Sequence, residues 1–564
     1  MGRRRNIVKR VALVLLVVLL PACGGSDDDG GEQGQRQGGQ PATVERLRLR
    51  GGQFGYPSPF AYMRGPGLVY AGFMFDTLLW KDSSGTMVPW LAREWQHSPD
   101  GTEWRFTLRD EAKWHDGRPL TADDVVFTFD YLSKGPGRQT GVIHSQGTDV
   151  IKETVAEAPN RVVVRLNRPF APFEETIAGR MLIIPKHVWS DVTEPAKLRG
   201  ERAVLGSGPY RLESADDAAG RYLFTANEAH FFGAPLVRRL ELSPAPDQLA
   251  ALQRGDVDAG TFFLEEQGPP EQALAAFSDE SRYGRITGPG EWTRALHINM
   301  SKGLPYNDKR FRQALAYAID RKDLVERILL GRGEPGSLGI LAPSHPMAAK
   351  DLPAYDRDVG RARTLLDEAG LRDTNGDGTR ELPDGRPFAP GLLTSSQFSP
   401  KTAEVVKEYL REVGIQVQIT SLDGASADAA TTRGSYDLAL IGYGALGGDP
   451  DIPLRIRLSS RVPAKSFFST FGYVNPQYED LAARQSAMLD ANRRKDLVQQ
   501  IQRIVSEDVP AIPLYMPTRL LIFDKRSFDA WYFTPGGVWG AYPGPENKQA
   551  FVTGTKTLKE AGKG

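Results

Sequence analysis

The 564-residue chain contains a single cysteine, Cys23, so no disulfide can form within it. Its seven histidines are scattered with no HExxH pairing, which leaves a histidine zinc site without support. There is no excess charge of either sign: 70 basic side chains face 70 acidic ones, against the basic surplus of a general nucleic-acid binder. No GxxxxGK[ST] loop and no GxSxG elbow occurs, which removes P-loop nucleotide hydrolysis and the commonest esterase signature. Gly331-Arg-Gly-Glu-Pro-Gly336 fits GxGxxG by letters, but it follows a helix and Pro335 stands where a phosphate-cradling loop turns helical. No spacing of carboxylates singles out an acid–base pair. His115-Asp116-Gly117 reads as turn chemistry, and a secreted hydrolase has no constellation to rest on. No cofactor and no resident metal is implied.

What is present begins at the N-terminus. Arg3, Arg4, Arg5, Lys9 and Arg10 precede an apolar run from Val11 to Leu20, too short for a bilayer of about 30 Å but suited to a signal-peptide h-region. Leu20-Pro-Ala-Cys23 then resembles a bacterial lipobox, which implies a diacylglyceryl group on Cys23 and a membrane tether outside the cytoplasm. Residues 1–23 are thus expected as signal peptide. Residues 24–45, rich in Gly, Gln and Asp, are expected as a flexible tether.

Beyond it, strand and helix signals alternate, as in α/β domains. Strands are expected at 46–50, 104–108, 161–166, 415–419, 437–441 and 511–515 from period-two or β-branched patterning. Apolar spacing predicts helical structure over 309–330, as one helix or two, closed by Gly331, and helices over 359–369, 402–413 and 494–505. Asp373, Asn375 and Asp377 with Gly378 match the start of a calcium loop. Asp384 stands where a bidentate Glu belongs, and Pro383 and Pro387 oppose a following helix, so a glycine-rich turn is the preferred reading.

Several blocks occur in a telling order. They are Leu91-Ala92 to Trp95, Leu108-Arg-Asp110, Trp114-His-Asp-Gly117, Thr121-Ala-Asp-Asp-Val125, Ile184-Pro-Lys-His187, Gly206-Ser-Gly-Pro-Tyr210, Gly255-Asp-Val-Asp-Ala259, Asn299 with Phe311 to Arg321, Ala362 to Gly370, and Gly442-Tyr443 with Asp449-Pro-Asp451. The series resembles the family 5 extracellular solute-binding proteins, the oligopeptide- and dipeptide-binding proteins of ABC importers. The resemblance spans about residues 46–550.

It implies a type II periplasmic-binding-protein fold of two hinged lobes plus an extra domain, closing on a ligand. Lobe I is expected at 46–80, 205–290 and 511–557, the extra domain at 81–204 and lobe II at 291–510. The implied ligand contacts are Tyr443, Gly444, Trp292 and Arg294: aromatic area and a guanidinium for a carboxylate. Peptide-binding relatives hold the ligand ammonium with an aspartate three residues after the loop aromatic. Here that position is Leu446, so Asp449 or Asp451 takes the role or the ligand has no ammonium there. The implied protein is a monomer that captures a small solute, a peptide foremost and a sugar or metal chelate otherwise. Its partners are an ABC permease with its ATPase subunits and, through the anchor, the membrane; nucleic acid is not among them.

Overall fold

The computed structural model describes residues 43–562 except 62, 64–66, 138–147, 265–267, 289, 397–399, 445, 462–468 and 538–544. Cys23 and most of the expected tether lie outside these residues. Leu47 and Leu49 are buried while Arg48 and Arg50 point outward, the alternation expected of a strand with one covered face. The strand Leu47–Gly51 pairs in parallel with Arg239–Pro244, which continues antiparallel to Arg221–Ala226 and Tyr210–Asp216. A second, fully antiparallel sheet runs in the order Ala92–His97, Glu103–Leu108, Arg161–Leu166, Ile151–Ala158. The helix Ala122–Ser133 packs on that sheet; its capping box pairs Thr121 with Asp124. One hydrophobic core joins both sheets and also takes in Phe528, Trp531 and Phe551 from the end of the chain.

Inside that core lies a buried ion pair. Lys548 Nζ donates to Asp76 Oδ1 at 2.9 Å, and its ammonium lies 4.4 Å from the Trp80 ring and 5.0 Å from Trp90. Trp90 Nε1 and Ser207 Oγ complete the bonding of Asp76, at 2.7 and 2.9 Å. Burial alone raises a carboxyl pKa. Here Lys548 and His230 more than offset it and hold Asp76 far below the ordinary range.

The other half is built on a six-stranded mixed sheet, in the order Gly333–Pro335, Ala511–Pro517, Thr293–Ile298, Leu438–Tyr443, Gly391–Ser395, Gln418–Leu422. Separate hydrophobic clusters cover its two faces. The expected helical stretch 309–330 is two helices, Lys309–Ala318 and Arg321–Leu329, because Asp320 turns outward to cap the second. Leu330, already left-handed at φ 53°, closes the second helix one residue before the expected Gly331. The strand expected at 415–419 is displaced to Gln418–Leu422, since Ile415 and Val417 turn into the core instead of pairing.

One expected boundary moves. The strand Ala511–Pro517 belongs to the six-stranded sheet and not with residues 205–290: it pairs with Thr293–Ile298 and is buried at every position, as a strand covered on both faces must be. The next strand, Arg519–Asp524, is the centre of a small sheet between Ala259–Phe263 and Tyr283–Gly288. The chain therefore passes from one sheet to the other at Thr518. A second passage, between Gly288 and Thr293, runs beside it: Gly288 is paired with Arg519, and Arg294 with Tyr515.

Candidate solute-binding site

The expected site residues gather where the strand Leu438–Tyr443 ends beside the second passage. Thr293 faces Tyr443 and Arg294 faces Gly442 across the ladder. A Cβ on Gly442 would stand 2.3 Å from Arg294 Nη1 and 3.0 Å from Trp292 Cζ2. The guanidinium and the indole thus lie over bare backbone. Trp292 is half-buried and its ring centre is 5.6 Å from that of Phe263. Phe263 carries the guanidinium of Arg519 at 3.8 Å on its other contact.

Tyr443 is buried between two cationic or polar neighbours. Arg457 lies 4.3 Å from its ring centre, and the His297 ring meets it edge-on at 5.6 Å. Burial pushes the phenol up to about 12, although the Arg457 charge opposes this. Arg457 also donates to the Gly444 carbonyl at 2.5 Å, and burial lowers its own pKa to about 10. Leu446 is fully buried, and its N–H points to the Glu291 carbonyl at 3.4 Å.

The acids near the loop are already engaged. Asp449 holds Arg494 with both oxygens, at 2.7 and 2.6 Å. Burial raises the Asp449 pKa, but Arg494 outweighs it and keeps the carboxyl below its ordinary range. Asp451 holds Arg455 in the same bidentate way, both contacts 2.7 Å, and accepts from Gln485 at 2.7 Å.

The loop 446–448 touches both halves of the molecule. A Cβ on Gly447 would lie 1.9 Å from Glu291 Oε1; one on Gly448 would lie 2.7 Å from Glu175 Oε1 and 3.1 Å from the Gly536 carbonyl. Glu175 pairs with Lys81 at 2.7 Å. Glu291, on the second passage, accepts from the Gly536 N–H at 2.7 Å. Burial and the nearby Glu175 push the Glu291 carboxyl up to about 7, against the pull of that N–H and of Lys81.

Arg457 and Glu291 did not emerge from sequence reasoning, since neither stands in a patterned block of the sequence. The other sequence candidates resolve as structure. His115 contacts the Gly208 carbonyl at 3.0 Å, and burial lowers it to about 4. Asp373, Asp377 and Glu381 place carboxylate oxygens within 4.8 Å of one another, with Glu381 in place of Asp384, which pairs with Arg386 at 2.6 Å. The loop's own N–H groups at Thr374, Gly376, Gly378 and Thr379 donate to these carboxylates, and the Asn375 side-chain amide donates to Asp377 Oδ2 and Glu381 Oε1, as in a tight turn.

The sequence profile of the bacterial extracellular solute-binding proteins, family 5, middle region, matches residues 86–463. The chain belongs to this family. As a family 5 solute-binding protein it is similar to a probable di/tripeptide-binding protein of Pseudomonas aeruginosa, 29% identical over 472 residues, covering 80% of this chain and 86% of that one. It is also similar to the nickel-binding periplasmic protein of Escherichia coli, 27% identical over 414 residues, 72% of this chain and 76% of that one. Among solved structures, the oligopeptide-binding protein AppA of Bacillus subtilis, with a nonapeptide, superposes with a TM-score of 0.76 at 21% identity. That match covers 90% of this chain and all of AppA. The family 5 protein has the expected α/β type II periplasmic-binding-protein fold, two hinged lobes with an additional domain. Among the described residues no helix is long and apolar enough to cross a membrane.

Proposed function

We propose that this protein captures a small solute, a peptide foremost, between its lobes and delivers it as a monomer to an ABC permease, tethered by a lipid on Cys23 and performing no chemistry on its cargo. The observation that carries the reading is Arg294 laid with Trp292 over the bare backbone of Gly442, next to Tyr443. A buried guanidinium beside aromatic faces suits a carboxylate on an apolar frame. The named relatives bind di- and tripeptides, oligopeptides and nickel. In this reading lobe I comprises 46–80, 205–290 and about 519–557, the additional domain 81–204, and lobe II 291–517.

A second reading, a non-peptide solute such as a sugar or a metal chelate, is favoured by one feature. Leu446 replaces the ammonium-binding aspartate, while Asp449 and Asp451 are held by Arg494 and Arg455. A buried ammonium without a partner costs several kcal/mol, about 3–5. Mass spectrometry of solute co-purifying with the protein tests the function; a thermal-shift panel of free and N-acetylated peptides separates the readings. Equal stabilisation by both forms favours a site without ammonium recognition. Recovery of chemically altered solute in excess over protein overturns the binding-protein reading.

A further inference from the structure

The helix Pro476–Ala487 ends against the opposite half of the molecule. The last carbonyls of a helix have no partner within it. Here the Gln485 carbonyl accepts from the Met488 N–H at 3.2 Å, but the Ser486 carbonyl accepts from the N–H of Ala171 at 2.7 Å. The Ser486 hydroxyl donates to the Ala483 carbonyl at 2.8 Å and accepts from Arg168 Nη1 at 3.2 Å. A guanidinium also suits the negative end of a helix. Ala171 stands between Phe170 and Phe173 of the core shared by the first two sheets, whereas Leu481 and Ala482 of the helix belong to a cluster on the six-stranded sheet. Three residues further on, Leu489 meets the turn at Gly101, where an added Cβ would stand 2.6 Å from Leu489 Cδ1.

The contact backs onto the loop that follows Tyr443. Gln485 donates to Asp451 at 2.7 Å, and Arg455, held by Asp451, lies 5.6 Å from the Phe170 ring centre. It is made by neither passage of the chain between the sheets, so turning one half about those passages parts it. We propose that Arg168, Ser486 and Leu489 form a closing latch, which sets how firmly the solute is held without touching it. Affinity in a hinged site falls with the fraction of time the cleft stands open, so a contact that favours the closed form strengthens binding from outside the pocket. The proposal rests on the solute-binding reading.

Hydrogen exchange at the Ala171 amide reads the latch directly, because its bond crosses the contact. In protein freed of solute by unfolding in guanidinium chloride and refolding, Leu489→Asp and Arg168→Ala should each speed this exchange about tenfold. Leu489 is 38% exposed, so the aspartate should not disturb folding. Amides of the central strands Arg161–Leu166 and Leu438–Tyr443 should exchange at unchanged rates. Leu489→Met, which keeps the apolar contact, should match the unaltered protein. Three results overturn the proposal: unaltered Ala171 exchange in both variants, acceleration shared by the central strands, or an Ala171 amide in the unaltered protein that exchanges like an unbonded one. Native mass spectrometry after dialysis gives the second readout. The fraction of protein still carrying its co-purified solute should fall in both variants. Equal retention despite a loosened Ala171 amide overturns the proposal and leaves solute binding intact. Failure of the solute-binding reading itself looks different: no solute is recovered even from the unaltered protein.

Discussion

Both carboxylate oxygens of Asp449 are held by the guanidinium of Arg494, at 2.7 and 2.6 Å, and Arg494 passes on to Gln485 Oε1 at 3.1 Å. The pair ties the loop after Tyr443 to the helices Pro476–Ala487 and Ala491–Asp508.

Removing that carboxylate leaves Arg494 buried beside a neutral amide. Asp449→Asn should therefore cost about 3–5 kcal/mol of stability. Urea unfolding should show a lower midpoint at unchanged slope. The relative stabilisation by free and N-acetylated peptides should not change, because the residue serves Arg494. A changed preference would return Asp449 to the ligand.

Glu291 gives stability a pH dependence of unusual sign. Its carboxyl titrates at about 7 in the folded protein against an ordinary 4.5. Between these values the folded state holds the extra proton, so the Glu291 contribution to stability is fully present below 4.5 and falls as pH rises through the window. The loss is complete above 7 and amounts to roughly 3 kcal/mol. Glu291→Gln should flatten this part of the pH–stability profile measured by thermal melting between pH 4.5 and 8.

Gly442→Ala should spare the fold and damage the site. The added methyl meets the mobile end of Arg294 and the rim of Trp292, not backbone. Melting should shift by no more than about 1 kcal/mol equivalent. Titration calorimetry with the co-purified solute should show affinity reduced about tenfold.

Cys23→Ala should release the protein from membranes or leave its signal segment uncleaved. Fractionation of expressing cells followed by intact-mass measurement checks this. A variant that is processed normally and still sediments with membranes would mean that Cys23 carries no lipid anchor.

The elements legible in the sequence are those whose cause is local. Leu47 and Leu49 alternate; Asp308, Asp320, Asp358 and Asp490 each cap the helix that follows them. The π-helical turn at Ile452–Ile456 carries no period of its own, and it leads into Arg457. Which sheet owns Ala511–Pro517 was equally illegible, since an all-apolar strand fits any buried position and only its partner Thr293–Ile298 decides. Tyr443, Trp292 and Arg294 were reachable through the family resemblance. The engagement of Asp449 was not, because Arg494 comes from a helix remote in sequence.

The bond from Lys548 to Asp76 spans 472 residues, and the core around it needs Phe528, Trp531 and Phe551 as well. A chain synthesised from its N-terminus cannot complete its first core until Phe551, about five hundred positions after Leu47, has been made. Until then the early strands lack the aromatic and ionic partners that close around Asp76.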